Sequence, residues 1–219
     1  PADHGGAIFC FLLQRSVGAG CHHVGMTSRD SGTTLLVTTC ALTRRARRVV
    51  ADSQAMHRTI AYSAGRCLWG LPNQHTLVIQ HDQVIDWHES LPGLISAART
   101  TIAPPVEQGT RVRWAIIANP VHAPIQPGEK RGRRTPLPPE RWAEWVTRKL
   151  APALRLDSIR HEPLPTAGGW RHTNRVVHRR VLFSGEGTVT DPVRLGELRR
   201  AGVGPGKAYG CGLLLVRPL

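Results

Sequence analysis

A glutamine and a histidine three residues apart are the pair in this sequence best suited to proton chemistry. Asp52 or Ser53 is a good N-cap for a helix that runs to about Ser63, and Gln54 and His57 would share one face of it. Imidazole titrates near neutrality and can accept or donate a proton, whereas a glutamine amide can only form hydrogen bonds. A single histidine also fits a purely structural role, so by itself the pair supports a catalytic site only as a hypothesis.

The glycine-rich segment 202–212 (GVGPGKAYGCG) is the second candidate for a functional role. A dinucleotide-binding loop follows a strand and opens a helix, but here a predicted helix precedes the glycines and a strand follows them. A P-loop is excluded because Ala201 replaces its first glycine and Ala208 replaces the Ser/Thr that holds magnesium. Two interpretations of the segment remain. It is either a loop whose backbone N–H groups can approach phosphates beside Lys207, or a turn that serves packing only.

The charge of the chain favours a polyanionic partner such as a nucleic acid. The formal net charge is +14, and all but three of the 29 basic residues are arginines, whose donor fork matches phosphate oxygens. Residues 44–58 contain five arginines against one aspartate, and residues 130–180 contain 13 basic and 4 acidic residues. Either patch alone could be a solvated face, but two patches, one in each half, better fit a clamp around a nucleic acid.

Cysteine and hydropathy patterns narrow the remaining classes. The five cysteines include no C-x-x-C pair, so we expect neither a disulfide framework nor a structural zinc site, and a reducing, cytoplasmic location. The run Cys21-His22-His23 lacks marked partners for a tetrahedral ion, and we predict no metal and no cofactor. No apolar stretch approaches the ~20 residues of a membrane span. Residues 1–32 are rich in Gly and Ser without a period, and we expect a poorly ordered extension of unknown role.

In the first half, the elements that would position His57 follow the order of a ferredoxin-like unit. Thr33–Leu42 is β-branched and apolar and predicts a buried strand, and Leu77–Ile79 predicts a short one. Leu91–Thr100 suggests a second helix, and Val112–Ile117 predicts a strand that ends before Ala-Asn-Pro. With the helix after Asp52, this pattern indicates an α+β unit.

The second half repeats the theme less clearly. Pro139–Leu150 predicts a helix with one apolar stripe, and Asp191–Arg200 a helix capped by Asp191. Val176–Phe183 and Thr188–Thr190 suggest a hairpin around Gly185 and Gly187, and Leu213–Val216 predicts the closing strand.

Four segments together resemble the CasE family, the type I-E members of the repeat-associated RNA-processing superfamily. The tail Gly202–Leu219 is similar to the family's terminal pattern G-x-G-x-x-K-x-x-G-x-G-L-L-x-x-x-P. Residues 51–60 (ADSQAMHRTI) are similar to its catalytic-helix motif, whose core is M/L-H-R-T-I/L. Arg113–Pro120 resembles the strand that closes the family's first domain, and Trp142–Leu150 its W-L-x-R-K-L helix.

This resemblance implies tandem ferredoxin-like (RRM-like) domains, at 33–120 and 121–219, that bind the hairpin of a CRISPR repeat transcript. It implies metal-independent cleavage at the 3′ base of the stem by attack of a ribose 2′-OH, giving a 2′,3′-cyclic phosphate, with His57 as the catalytic histidine. It also implies that the protein stays on the crRNA as a subunit of the type I-E Cascade complex.

The residues expected to contact RNA are Arg44, Arg45, Arg47, Arg48, Arg58, Arg171, Arg175, Arg179, Arg180, Gly204, Gly206 and Lys207. One position departs from the family, which commonly has tyrosine where this chain has Gln54. We therefore expect cleavage roughly 10- to 1,000-fold slower than in tyrosine-bearing relatives. The alternatives are a cleavage-inactive repeat-binding subunit and a general basic RNA-binding protein in which His57 is incidental.

Overall fold

The computed structural model describes residues 34–50, 52–124, 128, 132, 134–171 and 174–219. The predicted extension 1–32 and the Cys21-His22-His23 run lie outside the described residues. No helix in the described ranges is long and apolar enough to cross a membrane.

The first half of the described chain forms a four-stranded antiparallel sheet with the strand order β2-β3-β1-β4. Its strands are β1 (Leu36–Leu42), β2 (Leu68–Asn73), β3 (Thr76–His81) and β4 (Ile95–Ile102). Its helices are α1 (Ala46–Val49), α2 (Ser53–Ala64) and α3 (Trp87–Ser90).

Helix α2 forms where the sequence predicts it and carries both Gln54 and His57. The Asp52 side chain caps it, accepting hydrogen bonds from the backbone N–H groups of Gln54 and Ala55, each at 3.0 Å. Its core-facing stripe, which includes Met56 and Ile60, is fully buried against the first sheet. Because that stripe is anchored, the face that carries His57 has a fixed orientation.

The second half forms a sheet with the order β11-β5-β10-β8, and a further strand, β9, pairs with β10. The strands are β5 (Arg111–Ala118), β8 (Leu154–Leu156), β9 (Arg160–Arg171), β10 (Asn174–Val189) and β11 (Leu214–Pro218); a short pair, β6 (Val121–His122) and β7 (Thr135–Pro136), lies apart. The helices are α4 (Trp142–Leu150) and α5 (Pro192–Ala201), with 3-10 turns at Pro139–Arg141 and Lys207–Tyr209.

Both sheets place their four main strands in the ferredoxin-like arrangement, with the first strand between the third and the fourth. The two units share a buried apolar layer, in which Val78 of the first sheet and Ile117 and Leu215 of the second take part. The predicted α+β fold of tandem ferredoxin-like domains is therefore confirmed.

The helix predicted at Leu91–Thr100 is wrong. The chain forms one helical turn, α3, and then enters strand β4, which pairs antiparallel with β1 from Ile95 to Ile102. The alanines at 97 and 98 favour a helix locally, but the β-branched residues at 100–102 and the free edge of β1 favour a strand. Tertiary pairing overrides the weak helical propensity.

The hairpin predicted around Gly185 and Gly187 is also wrong, because both glycines lie inside the continuous strand β10. A Cβ on Gly185 would collide with the carbonyl of Ser158, and one on Gly187 would lie 2.6 Å from the carbonyl oxygen of Arg155. The glycines therefore mark a close passage of backbone rather than a turn. The hairpin in this region is formed by β9 and β10.

The strand predicted to close the first domain belongs to the second sheet. Strand β5 pairs with β10 and β11, and the first sheet is already complete at Ile102. The predicted boundary at 120 thus falls within the second sheet, because the segment that supplies β4 was predicted to be helical.

Candidate active site

His57 lies in the second turn of α2 and is half-buried. The indole N–H of Trp69, a fully buried residue of β2, donates a hydrogen bond of 3.3 Å to Nδ1 of the His57 ring. Nδ1 is therefore the acceptor, and the proton of the neutral ring resides on Nε2 in this arrangement. Within the described residues Nε2 has no hydrogen-bond partner, so it is the nitrogen available to a ligand.

Burial lowers the pKa of the His57 imidazole below its ordinary value of 6.5. The hydrogen bond from Trp69 acts in the same direction, because a donor aimed at Nδ1 favours the ring without a proton there. His57 is consequently neutral at pH 7, the state that a general base requires.

Gln54 lies one turn before His57 and is covered by the β9–β10 hairpin. A Cβ built on Gly169 of β9 would lie 3.0 Å from Cβ of Gln54 and 3.3 Å from Cε1 of Tyr209. A glycine at 169 thus allows the hairpin to pass between the start of α2 and the 3-10 turn Lys207–Tyr209. Gln54 and Tyr209 are brought together although they are far apart in the sequence.

Tyr209 brings the glycine-rich loop into contact with His178, and the next residue, Gly210, brings it into contact with Trp69. The Tyr209 ring lies 4.2 Å from that of His178, centroid to centroid. His178 Nδ1 is 2.8 Å from Nδ2 of Asn119, and burial, with a smaller contribution from the Arg134 charge, lowers the His178 pKa. The following residue, Gly210, has φ +73°, and a Cβ there would lie 2.9 Å from Cζ3 of Trp69.

Tyr209 and Trp69 were not among the residues predicted from the sequence. The tyrosine stands within the glycine-rich segment, where attention falls on the glycines and Lys207. Trp69 belongs to β2, a strand that the sequence analysis did not delimit. Both residues reach the site through tertiary contacts. In the sequence, only their large aromatic side chains among small or apolar neighbours could have indicated a role.

The arginines that flank α1 form an exposed basic surface beside the start of α2. Arg44, Arg45 and Arg48, called the α1 arginines below, are exposed, as is Arg58. No described carboxylate lies within ion-pairing distance of these four, whereas Arg141, Arg155 and Arg194 each pair with an acidic residue. The side chain of Arg47 lies outside what the structure describes.

The arginines of the β9–β10 hairpin do not all face outward. Arg179 is exposed, but Arg180 is only 8% exposed, and its Nε donates to the carbonyl of Pro165 at 2.8 Å. Neighbouring residues of a strand face opposite sides, so the prediction that both contact RNA is corrected for Arg180, which packs inside the protein. Arg171 and Arg175 lie on β9 and β10, and their side chains are outside the described set.

Some backbone groups of the glycine-rich loop form hydrogen bonds within the protein. The Gly206 carbonyl accepts from the N–H groups of Tyr209 and Cys211, and the Gly212 N–H donates to Ile117. The N–H groups of Gly204 and Gly206 form no hydrogen bond to another described residue, and Lys207 is exposed. Gly204 also packs against Trp145, so packing contributes to the need for glycine here. Phosphate contacts at Gly204, Gly206 and Lys207 stay predictions.

Fold and site together define a tandem ferredoxin-like protein with a half-buried histidine on α2 and exposed arginines in and before the adjoining helix α1. The chain belongs to the family described as CRISPR associated protein, whose model matches residues 36–218. It is 30% identical over 209 residues to the CRISPR-associated endoribonuclease Cse3 of Thermus thermophilus, a match that covers 80% of this chain and 94% of the relative. These matches confirm the predicted membership of the CasE family.

Solved structures agree with this assignment. Cse3 bound to a 19-nucleotide RNA matches with a TM-score of 0.70 and 30% identity, covering 85% of this chain and 100% of the other. Thermus thermophilus Cse3 bound to an RNA representing a pre-cleavage complex gives a TM-score of 0.70 and 28% identity, with coverage of 84% and 100%. A chain of a CRISPR RNA-guided surveillance complex, at 20% identity, TM-score 0.58 and coverage of 85% and 100%, shows the fold alone.

Proposed function

We propose that this protein is the endoribonuclease that binds the hairpin of a CRISPR repeat transcript and cuts it at the 3′ base of the stem. The observation that carries the proposal is the half-buried, neutral His57, whose Nε2 has no hydrogen-bond partner among the described residues and whose helix packs against α1 with its exposed arginines. The printed name of the 30% identical relative, an endoribonuclease, supports the same activity. After cleavage the protein stays on the crRNA as a subunit of the surveillance complex.

His57 acts as the general base. Its Nε2 takes the proton of the 2′-OH at the scissile nucleotide, the 2′ oxygen attacks the adjacent phosphorus, and the P–O5′ bond breaks. The products are a 2′,3′-cyclic phosphate and a 5′-hydroxyl. The reaction needs no metal, because the nucleophile belongs to the substrate and is activated by imidazole.

The Trp69 contact sets a small cost for this step. To accept a proton at Nε2, the neutral ring must carry its proton on Nδ1, which gives up the 3.3 Å hydrogen bond from Trp69. Because Trp69 is fully buried, leaving its indole N–H without an acceptor costs about 1 to 3 kcal/mol. General base catalysis contributes roughly 100- to 10,000-fold in rate, or about 3 to 5 kcal/mol. This gain exceeds the energy lost with the Trp69 hydrogen bond.

The direct test is incubation of the purified chain with a cognate repeat hairpin in EDTA. We expect one cut at the 3′ base of the stem, with a 2′,3′-cyclic phosphate on the upstream product. A hairpin with a single 2′-deoxy substitution at the scissile nucleotide should bind equally well and remain intact. Tight binding without any cut would favour the inactive subunit suggested by Gln54, and indifference to the hairpin sequence would favour a general RNA-binding protein.

The pH dependence of cleavage follows from the lowered pKa of His57. A general base works in its unprotonated form, so the rate should increase about tenfold per pH unit below that pKa and level off above it. Because burial lowers the pKa below 6.5, the plateau should be reached before about pH 7. Single-turnover rates between about pH 5 and 8 measure this profile. A rate that falls with increasing pH over this range would make His57 the proton donor instead.

A further inference from the structure

The reaction needs a second group that the two predicted catalytic residues, His57 and Gln54, do not supply. As the P–O5′ bond breaks, negative charge develops on the 5′ oxygen, and a proton donor close to that oxygen accelerates its departure. His57 is neutral and acts as the base, and Gln54 cannot release a proton near neutrality.

We propose that Tyr209 is this second group and that its phenol hydroxyl donates the proton to the leaving 5′ oxygen. The proposal rests on the function proposed above. The chain contains only two tyrosines, Tyr62 and Tyr209. Tyr62 lies five residues after His57, on another side of α2, and points into solvent at 94% exposure. Tyr209 alone is held against the site.

Three contacts place the Tyr209 ring on the same face of α2 as His57. Gly169 separates it from Gln54 by the thickness of one glycine. Gln54 precedes His57 by three residues and so lies on the same helix face. Gly210, the neighbour of Tyr209, packs against the indole whose N–H contacts His57. Tyr209 thus lies near Gln54 on α2 and, through Gly210, against Trp69 on β2, and both of these residues are neighbours of His57.

Packing holds the Tyr209 ring in place, while its hydroxyl is bonded to no described residue. The His178 ring packs against it in a tilted arrangement, with 4.2 Å between the ring centroids and 47° between the ring planes, and Asn119 is hydrogen-bonded to His178 in turn. The Tyr209 backbone N–H is bound to the Gly206 carbonyl at 2.8 Å, which fixes the 3-10 turn. Its hydroxyl forms no hydrogen bond within the part of the chain that the structure describes, and it is not among the buried polar atoms. A fixed ring whose hydroxyl is not bonded to any described residue suits a proton donor.

The proton balance is complete with these two residues. The 2′-OH gives its proton to Nε2 of His57 as the O2′–P bond forms. The P–O5′ bond breaks, and the 5′ oxygen receives the proton of the Tyr209 hydroxyl. The phenolate then takes a proton from water, and the imidazolium returns its proton to solvent, which restores the enzyme.

The test is Tyr209→Phe, which keeps the ring and its packing against His178 and beside Gly169 but removes the hydroxyl. On an ordinary hairpin we expect the single-turnover rate to fall roughly 100-fold, with the RNA dissociation constant within about twofold of the unchanged protein. Tyr62→Phe, the matched control, should cleave at the original rate.

A hairpin with sulfur in place of the scissile 5′ oxygen separates a proton donor from a packing residue, because a thiolate leaves without protonation. On this substrate Tyr209→Phe should cut within about twofold of the unchanged protein, while His57→Ala stays slow. A defect that persists with the sulfur substrate, an unchanged rate on the ordinary hairpin, or a loss confined to binding would each overturn the role given to Tyr209. Normal cutting by His57→Ala would instead overturn the proposed function.

Discussion

Replacing His57 with alanine is expected to slow cleavage of the repeat hairpin on the order of 1,000-fold while RNA binding stays within about twofold. The substitution removes the proposed general base, and general base catalysis contributes in this range. His57 is half-buried and makes one long hydrogen bond, so its loss should leave the fold intact. Single-turnover cleavage and a filter-binding measurement on the same hairpin give the two quantities.

The matched control for this variant is His88→Ala, since the His88 side chain is exposed on the short helix α3 and forms none of the described contacts of His57. His88→Ala should cleave at the original rate. Adding free imidazole should restore part of the activity of His57→Ala, because the small base can enter the space that the side chain leaves. Full cutting by His57→Ala in EDTA would mean that the proton is removed elsewhere and that the site assigned to α2 is wrong.

The parts of the site that lie close together in the sequence were predictable from it. Asp52, Gln54 and His57 fall within six residues, and a capping residue followed by an amphipathic pattern is enough to specify their common helix. The tail resembles a family pattern residue by residue, which led directly to the tandem fold. A helix with its cap, and a family resemblance carried by a long motif, can both be predicted without knowledge of tertiary contacts.

The parts assembled from distant segments were not predictable. Nothing in the sequence shows that Gly169 lets Tyr209 approach Gln54, since the three positions belong to different elements. Arg180 illustrates the same limit: its neighbour Arg179 is exposed, and only the pairing of β10 decides which of the two faces solvent. Strand β4 was mistaken for a helix for a related reason, because its partner β1 lies over fifty residues earlier.

The affinity for the hairpin should depend on the α1 arginines more than on the net charge. Replacing Arg44, Arg45 and Arg48 together with alanine should weaken hairpin binding on the order of 100-fold at about 0.1 M salt, because each exposed, unpaired guanidinium can form a charge-assisted bond to a phosphate. The dependence of log K on log salt should become shallower by about 3, since roughly one counterion is released for each phosphate contact. Titrations at several salt concentrations measure both effects.

The chain offers a control with the same change in charge. Replacing Arg141, Arg155 and Arg194 with alanine also removes three positive charges from the formal +14, but each of these arginines already pairs with a carboxylate that would repel phosphate. This second triple variant should change affinity less than about threefold and leave most of the salt slope in place. Equal weakening by the two triple variants would show that binding follows overall charge rather than the α1 arginines, and the expectation that these arginines contact the RNA would then fail.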